Sequence, residues 1–294
     1  MKQIVVISGK GGTGKTSTTV FWTTMAKNTV FVDTDVDAPN LGIALPYKIR
    51  ETKPYIGRTV AMIDQSKCTS CGRCVELCRF DAIRVENGMY EVDPIACEGC
   101  TLCKLACPES AIDMVSRMTG EWFSSDTTYG PFVSARLDVG EGNSGALVTQ
   151  VRRVAEEIGE SEGCDMMLID GPPGIGCQTI AAITGVDLAV IVTEPSKSGI
   201  HDLERIASVC ARLGVPAVTI INKESLAPAV ADAVRLAADR AGVPVIGSIP
   251  FFPELPRALA SGHLLESPPS GVRSVMAVLW SRVRSHLETI YQDA

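Results

Sequence analysis

The sequence has no run of basic residues. Its 27 Lys and Arg residues are outnumbered by 34 Asp and Glu residues, which gives a formal charge of −7. Proteins that bind nucleic acid through general electrostatics need a basic patch or stripe that attracts the phosphates. The charge balance therefore argues against a nucleic-acid partner.

Long apolar runs are also missing. The sequence has no stretch of about 18 consecutive apolar residues, the length that a membrane-spanning helix needs. After Met1 and Lys2 the chain enters an apolar strand and a glycine loop directly, without the apolar segment and cleavage site of a signal peptide. We expect a cytoplasmic protein that does not insert stably into a membrane.

Cysteine, in contrast, is abundant, with eleven residues. The cytosol keeps thiols reduced, so this number indicates metal ligation rather than disulfides. Two identical runs, C-x₂-C-x₂-C-x₃-C, lie 29 residues apart, and Asp64/Asp93 share that offset. The segment therefore consists of two copies of one half-module. The runs are Cys68, Cys71, Cys74, Cys78 and then Cys97, Cys100, Cys103, Cys107.

Ferredoxins with two [4Fe–4S] clusters use this run, and the fourth cysteine of each run ligates the other cluster. Two structural zinc sites are the alternative, because thiolates also bind zinc. Pro108 follows the last cysteine as the pattern requires, whereas Arg79 replaces that proline in the first half and removes no ligand. The rule assigns one cluster to Cys68, Cys71, Cys74 and Cys107, and the second to Cys97, Cys100, Cys103 and Cys78.

A glycine loop follows the first predicted strand, residues 3–8. It fits G-x-x-x-x-G-K-[ST] and, with the next residue, comprises Gly9, Lys10, Gly11, Gly12, Thr13, Gly14, Lys15, Thr16 and Ser17. Its backbone N–H groups and the following helix N-terminus suit phosphates, with Lys15 at the β- and γ-phosphates and the Thr16 hydroxyl on Mg²⁺. A glycine turn without a ligand is the alternative.

Apolar β-branched runs alternate with helical segments on both sides of the cysteines. We predict strands at 29–33, 166–170, 188–193, 217–221 and 244–249, a strand near 132–137, and helices at about 16–27, 145–159 and 270–291. This rhythm predicts an α/β fold with a doubly wound, mostly parallel sheet. We expect a P-loop NTPase domain at 1–59 and 118–294, with a small α+β bacterial-ferredoxin-like domain inserted at 60–117.

Four features resemble the MinD/Mrp and nitrogenase iron protein group of P-loop ATPases. Lys10 resembles the second lysine of the group's deviant Walker A loop. The segments 32–37 and 170–174 resemble its two switches, and Asn222-Lys223 resembles its base-recognition motif. The resemblance implies that Asp35 orients the attacking water and that Asp170 holds the Mg²⁺ shell. GTPases carry Asp where Ser225 stands, so ATP is favoured over GTP.

The chain is similar to MinD-superfamily ATPases that contain an inserted ferredoxin domain. This resemblance implies the cofactors ATP/ADP, Mg²⁺ and two [4Fe–4S] clusters, with Lys10, Lys15 and Asp35 as catalytic residues. It further implies a homodimer through the nucleotide face, in which Lys10 reaches the partner's nucleotide. We also expect an unidentified metal-cluster or redox partner protein.

Three functions are open from the sequence. The leading hypothesis is ATP hydrolysis linked to iron–sulfur or metal-cluster assembly, or to electron delivery for it. An ATP-gated reductase is the second, and a MinD-type positioning ATPase is the third, although positioning needs no redox clusters.

Cys177 follows the second switch, where it is either a ligand of a bridging cluster or a buried or interface thiol, and Cys164 and Cys210 are predicted core residues.

Overall fold

The computed structural model describes residues 1–142, 145–262 and 264–292. Its strands are β1 Lys2–Ser8, β2 Thr29–Asp33, β3 Tyr47–Ile63, β4 Ile83–Glu86, β5 Met89–Val92, β6 Ile112–Thr127, β7 Gly130–Leu137, β8 Met166–Pro173, β9 Leu188–Thr193, β10 Ala217–Asn222 and β11 Val245–Ile249. Its helices are α1 Lys15–Thr23, α2 Leu41–Ala44, α3 Arg73–Leu77, α4 Leu102–Ala106, α5 Ala146–Ser161, α6 Cys177–Ile183, α7 Lys197–Arg212, α8 Pro228–Arg240, α9 Leu255–Ala260 and α10 Val272–Gln292.

Nine strands form one sheet in the order β11-β10-β9-β1-β8-β2-β7-β6-β3. The strands from β11 to β7 pair in parallel, and β2, β9 and β10 are buried at every position. Since successive side chains of a strand point to opposite faces, complete burial requires cover on both faces. The predicted α/β class and mostly parallel sheet are confirmed.

No described helix has the length and apolar character needed to cross a bilayer.

Two compact units make up the chain. The first comprises Met1–Thr52, Trp122–Arg136 and Asn143–Ala294, and the second comprises Lys53–Glu121 and Leu137–Gly142. The first unit carries the large core, in which Trp22 and Trp280 have ring centroids 5.3 Å apart. The predicted insert, 60–117, lies within the second unit, although its exact bounds as a domain stay a prediction.

The second unit repeats its backbone as well as its sequence. Three pairs of residues 29 positions apart share a positive φ: Ser70 and Gly99, Gly72 and Thr101, Asp81 and Ser110. The amide of Asp64 donates to the carbonyl of Ala111, and the amide of Asp93 donates to that of Ala82 at the same offset. The two halves therefore have the same local fold. The β4–β5 hairpin joins them through an Asn87-Gly88 turn.

The long strands β3 and β6 were not predicted. Residues 47–59 of β3 are almost entirely exposed, because β3 is the edge strand of the sheet, so the sequence lacks the alternation that marks a half-buried strand. Residues 118–127, expected as loop, belong to β6, where Gly, Ser and Thr occupy buried positions. The first helix ends at Thr23 rather than near Lys27.

Candidate functional site

The phosphate loop connects the end of β1 to the first residue of α1. Gly12 and Gly14 have positive φ values of 77° and 94°, which favour glycine. A Cβ atom on Gly14 would lie 2.0 Å from Asn222 Nδ2. Asn222 in turn donates from Nδ2 to the Thr13 carbonyl at 2.6 Å. The loop is thus fastened to the carboxyl end of β10, where the sequence predicts the base-recognition motif.

Lys15 and Thr16 meet Asp170, which lies near the carboxyl end of β8. The Lys15 ammonium group is 3.0 Å from Asp170 Oδ1, and the Thr16 hydroxyl donates to Asp170 Oδ2 at 2.8 Å. Thr19 donates to the same carboxylate at 3.0 Å, and both Lys15 and Asp170 are buried. The structure therefore brings together a phosphate-binding cation and two oxygen groups suited to Mg²⁺.

Asp33 is a site residue that the motif reading missed. It is fully buried, and its carboxylate accepts hydrogen bonds from the amides of Asp35 at 3.0 Å and Leu41 at 2.9 Å. Burial and the neighbouring Asp170, its partner in the β2–β8 register, raise the pKa of Asp33 to about 7. This residue positions the predicted first switch. An acid at the last position of a buried strand was the signal available in the sequence.

Asp35 lines the same cleft as the phosphate loop. Burial raises the pKa of its carboxyl, while the charge of Lys15 acts in the opposite direction. A carboxyl group beside the phosphate loop is suited to orient a water molecule, which is the role implied for Asp35 by its family resemblance.

Lys10 does not project freely in the single chain. Its ammonium group is 2.5 Å from Glu194 Oε1 and 3.1 Å from the Ser198 hydroxyl. Glu194 also accepts from Lys223, whose ammonium group donates to the Gly12 carbonyl at 2.9 Å as well. Burial raises the pKa of Glu194, but the two lysines outweigh it and the net shift is downward. Glu194, which follows β9, was not predicted.

The cleft beside the loop has a volume of about 520 Å³, within the usual range for small-molecule sites. The Thr13 hydroxyl oxygen is buried in the loop without a hydrogen-bond partner, so it is available to a ligand. Ser225, at the position of the GTPase aspartate, accepts from the Phe251 amide at 2.9 Å. The residues present therefore fit a nucleotide, with Phe251 and Phe252 lining the cleft beyond Asn222.

Two further spaces lie in the second unit, and each is lined by four thiols. The structure thus groups the cysteines across the two halves as the ferredoxin rule assigns them, although ligation itself stays a prediction. The first space is lined by Cys68, Cys71, Cys74 and Cys107. The second is lined by Cys78, Cys97, Cys100 and Cys103.

Backbone amides point at three of these sulfur atoms. The amides of Ala111 and Ala82 donate to Cys107 Sγ at 3.3 Å and Cys78 Sγ at 3.4 Å, and Ala61 donates to Cys97 Sγ at 3.4 Å. Such bonds stabilise thiolates and tune cluster potentials. All eleven cysteines are free thiols, so none is diverted into a disulfide.

The spacing of the thiols bears on the zinc alternative. Thiolates that share one zinc ion each lie about 2.3 Å from it, which holds them close together. Throughout residues 1–142, 145–262 and 264–292, no group of three or more His, Cys, Asp or Glu side chains is placed to hold a single metal ion. The preference for [4Fe–4S] clusters over zinc therefore rests on the repeated C-x₂-C-x₂-C-x₃-C pattern.

The remaining cysteines differ in burial. Cys210 is buried, as predicted for a core residue, and burial raises the pKa of its thiol to about 11. Cys164 is only half-buried, so its assignment to the core was wrong. Cys177 is exposed at the first residue of α6, which contradicts a buried thiol in the single chain.

Family models match the two units separately. A 4Fe-4S dicluster domain matches residues 61–114, and a NUBPL iron-transfer P-loop NTPase of the ParA group matches residues 146–283. The dicluster match covers all eight cysteines of the two repeated runs, in agreement with the ferredoxin pattern.

Individual proteins extend these matches. The chain is 31% identical over 293 residues to the uncharacterized protein MJ0578 of Methanocaldococcus jannaschii, with 97% of each chain covered. The cytosolic Fe-S cluster assembly factor NUBP2 of Bos taurus is 27% identical over 34% of this chain and 42% of its own. The cell division ATPase MinD of Pyrococcus furiosus superposes with a TM-score of 0.56 at 18% identity, covering 97% and 98%, which shows the shared fold.

Proposed function

We propose a function that follows from the family, since this chain belongs to the Mrp/MinD-type P-loop NTPases that carry a 4Fe–4S dicluster domain. The chain binds and hydrolyses ATP with Mg²⁺. The nucleotide state controls iron–sulfur or metal-cluster assembly, or the delivery of electrons for it. The observation that carries this proposal is the presence, in one chain, of a phosphate-loop cleft and two four-thiol spaces.

The nucleotide site needs little rearrangement to bind ATP. Lys15 exchanges Asp170 for the β- and γ-phosphates, and the backbone amides of the loop surround the same phosphates. The Thr16 hydroxyl and the Asp170 carboxylate, 2.8 Å apart, would hold Mg²⁺ and its water shell. The metal supplies charge neutralisation at the phosphates. Asp35, fixed through Asp33, orients the attacking water.

A homodimer through the nucleotide face completes the proposed site. In the single chain Lys10 is paired with Glu194, which Lys223 also contacts. When two chains meet, Lys10 leaves Glu194 and reaches the partner's nucleotide, and Lys223 retains the carboxylate. Nucleotide-dependent movement of Lys10 would then report the state of the site to a second protein.

The thiol groups bind the two [4Fe–4S] clusters in the crossed pattern of the two runs. Clusters held in this way supply one-electron chemistry. NUBP2, which is named as a cluster assembly factor, supports assembly as the leading process.

Two experiments under anaerobic conditions test this function. ATP hydrolysis should require Mg²⁺ and should be lost in Lys15→Ala, while Asp35→Asn should retain nucleotide binding and lose turnover. Transfer of an iron-labelled cluster to an apo-protein should be faster with ATP than with ADP in the wild type and insensitive to nucleotide in Lys15→Ala. Equal transfer with ATP, ADP and no nucleotide would refute the coupling.

An ATP-gated reductase is the second candidate. It is favoured by the exposed apolar residues around one of the two thiol spaces, Leu77, Phe80 and Leu102. ATP-dependent reduction of a partner without loss of iron from this chain would support it over assembly. A MinD-type positioning role has only the fold in its favour and leaves the dicluster domain without a purpose.

A further inference from the structure

The two thiol spaces correspond residue by residue. Every cysteine of the first space has its counterpart 29 positions away in the second, and so do several other lining residues, such as Ile63 and Val92. Shared positive φ values extend the correspondence to the turns. The repeat therefore provides an internal reference: a position that differs between the halves is not dictated by the need to hold a cluster.

The openings of the two spaces do differ. Arg73 and Glu109 line the first opening, whereas their counterparts at the second opening are Leu102 and Phe80. All four side chains are exposed. Because the first half holds its four thiols with charged residues at these positions, Leu102 and Phe80 are not needed for the fold. Their exposed apolar side chains are therefore available to contact a partner.

Further apolar side chains surround the second opening. Leu77 also lines it, and Leu105, on the same helix as Leu102, is 81% exposed. More than half of the exposed large hydrophobic side chains of the described residues lie in the second unit, which is about a quarter of the chain. Leu77, Phe80 and Leu102 line the same space and so form a contiguous group, and contiguous apolar groups on a surface mark interaction sites.

We propose that Leu77, Phe80, Leu102 and Leu105, here called the apolar mouth, dock a redox partner protein over the site of Cys78, Cys97, Cys100 and Cys103. This rests on the proposed function, because it requires a cluster at those thiols. The partner carries a one-electron cofactor, a haem, flavin or iron–sulfur centre. One electron passes across the apolar mouth, so the bound cluster is oxidised by one electron and the partner's cofactor is reduced by one electron.

Charge around the mouth defines the partner further. Glu76, Asp81 and Glu98 are exposed beside the apolar residues, and Arg79 is the cation among them. Lys104 is 3.1 Å from Asp113, which offsets its charge. The thiolates add negative charge beneath the mouth. A complementary partner therefore has an apolar patch with a basic rim, whereas a second copy of this chain would oppose acid to acid.

The repeat also supplies the test. Phe80→Glu with Leu102→Arg gives the second opening the residues of the first, and Glu109→Phe with Arg73→Leu makes the reverse change as the matched control. Both leave the net charge unchanged. The holoprotein is reduced with dithionite and freed of excess reductant by anaerobic gel filtration. Without nucleotide, it is then mixed with cytochrome c as a basic haem probe and separately with a small dye oxidant, and the rates are followed by absorbance.

In Phe80→Glu/Leu102→Arg we expect the rate of cytochrome c reduction to fall about tenfold, equivalent to about 1.4 kcal/mol. The iron content, and the rate at which the dye oxidises the clusters, should be unchanged. The control variant should keep the wild-type rate, and the rate should fall as salt rises. An unchanged rate in the first variant, or an equal loss in the control, would overturn the apolar mouth. Because no ATP is present, failure of the nucleotide coupling would leave these results unaffected.

Discussion

The nucleotide cleft and the cysteine unit solve the problem of ligand binding in opposite ways. In the cleft, the predicted ligand-binding groups already contact other groups of the chain. Lys15 pairs with Asp170, and Asn222 donates to the Thr13 carbonyl. In the cysteine unit, the buried core cluster consists of Val60, Ala61, Ala82, Cys97 and Ile112, and four more of the eight cysteines pack against it. The nucleotide cleft is therefore ordered by contacts within the chain, whereas we expect the cysteine unit to depend on its bound clusters for order.

The largest expected effect comes from removing iron. A unit with so small a core depends on its metal for stability, since binding free energy becomes folding free energy. Anaerobic chelation should unfold the cysteine unit and leave the P-loop unit folded. Hydrogen exchange should show lost protection at the amides of Ala61, Ala82 and Ala111 and retained protection in β1 and β9. Equal protection with and without iron would contradict the contrast between the two sites.

Substitution of Asp170 tests the other side of the comparison. Asp170→Ala leaves the buried Lys15 cation without its partner, which should lower the free energy of unfolding by about 3–5 kcal/mol in the absence of nucleotide. Denaturant titration of the P-loop unit gives the value. Asp170→Asn is the control, because it retains hydrogen-bonding capacity for Thr16 and Thr19 and should be less destabilising. A decrease in the free energy of unfolding below about 1 kcal/mol would show that Lys15 and Asp170 do not form a stabilising ion pair before the ligand binds.

Asn222 provides a smaller effect in the same cleft. Asn222→Ala removes the donor to the Thr13 carbonyl, and we expect a loss of about 1–2 kcal/mol in stability. Because the loop is then less well fixed, the dissociation constant for ATP should rise about tenfold by calorimetry. Asn222→Asp keeps the acceptor for the Lys223 amide and isolates the missing donor. Unchanged affinity in both variants would remove Asn222 from the site.

The last expected effect is a pH dependence of the nucleotide-free, Mg²⁺-free chain. Burial raises the pKa of Asp33 from 3.8 to about 7, so the folded chain binds its proton more tightly than the unfolded chain does. This contribution to stability is fully present below pH 3.8 and is lost as the pH rises through about 7. Thermal melts between pH 4 and 8 should therefore show a decline that is flatter in Asp33→Asn. Parallel profiles would contradict the assignment.

Local patterns predicted much of this architecture. Buried β-branched runs are visible in the sequence, because complete burial leaves mostly apolar residues in β2, β9 and β10. The grouping of thiols across the two halves followed from the 29-residue repeat. Edge strand β3 has mostly exposed side chains and was missed, because exposure erases the alternation of apolar and polar residues.

Contacts made by the sheet order were beyond sequence reasoning. Glu194 follows β9 and Lys10 follows β1, and the two meet because these strands are parallel neighbours. Asp33 meets Asp170 through the β2–β8 register for the same reason. Nothing in the spacing of these residues along the chain encodes which strands are adjacent.

In the proposed homodimer, the pairing of Lys10 with Glu194 would set the protein concentration at which two chains associate. Lys10 is available to a second chain only in the fraction of molecules in which its ammonium group has left Glu194. The apparent dissociation constant of the proposed dimer equals the intrinsic constant divided by that fraction. A substitution at Glu194 would thus shift the protein level at which dimers assemble, with Lys10 itself unaltered.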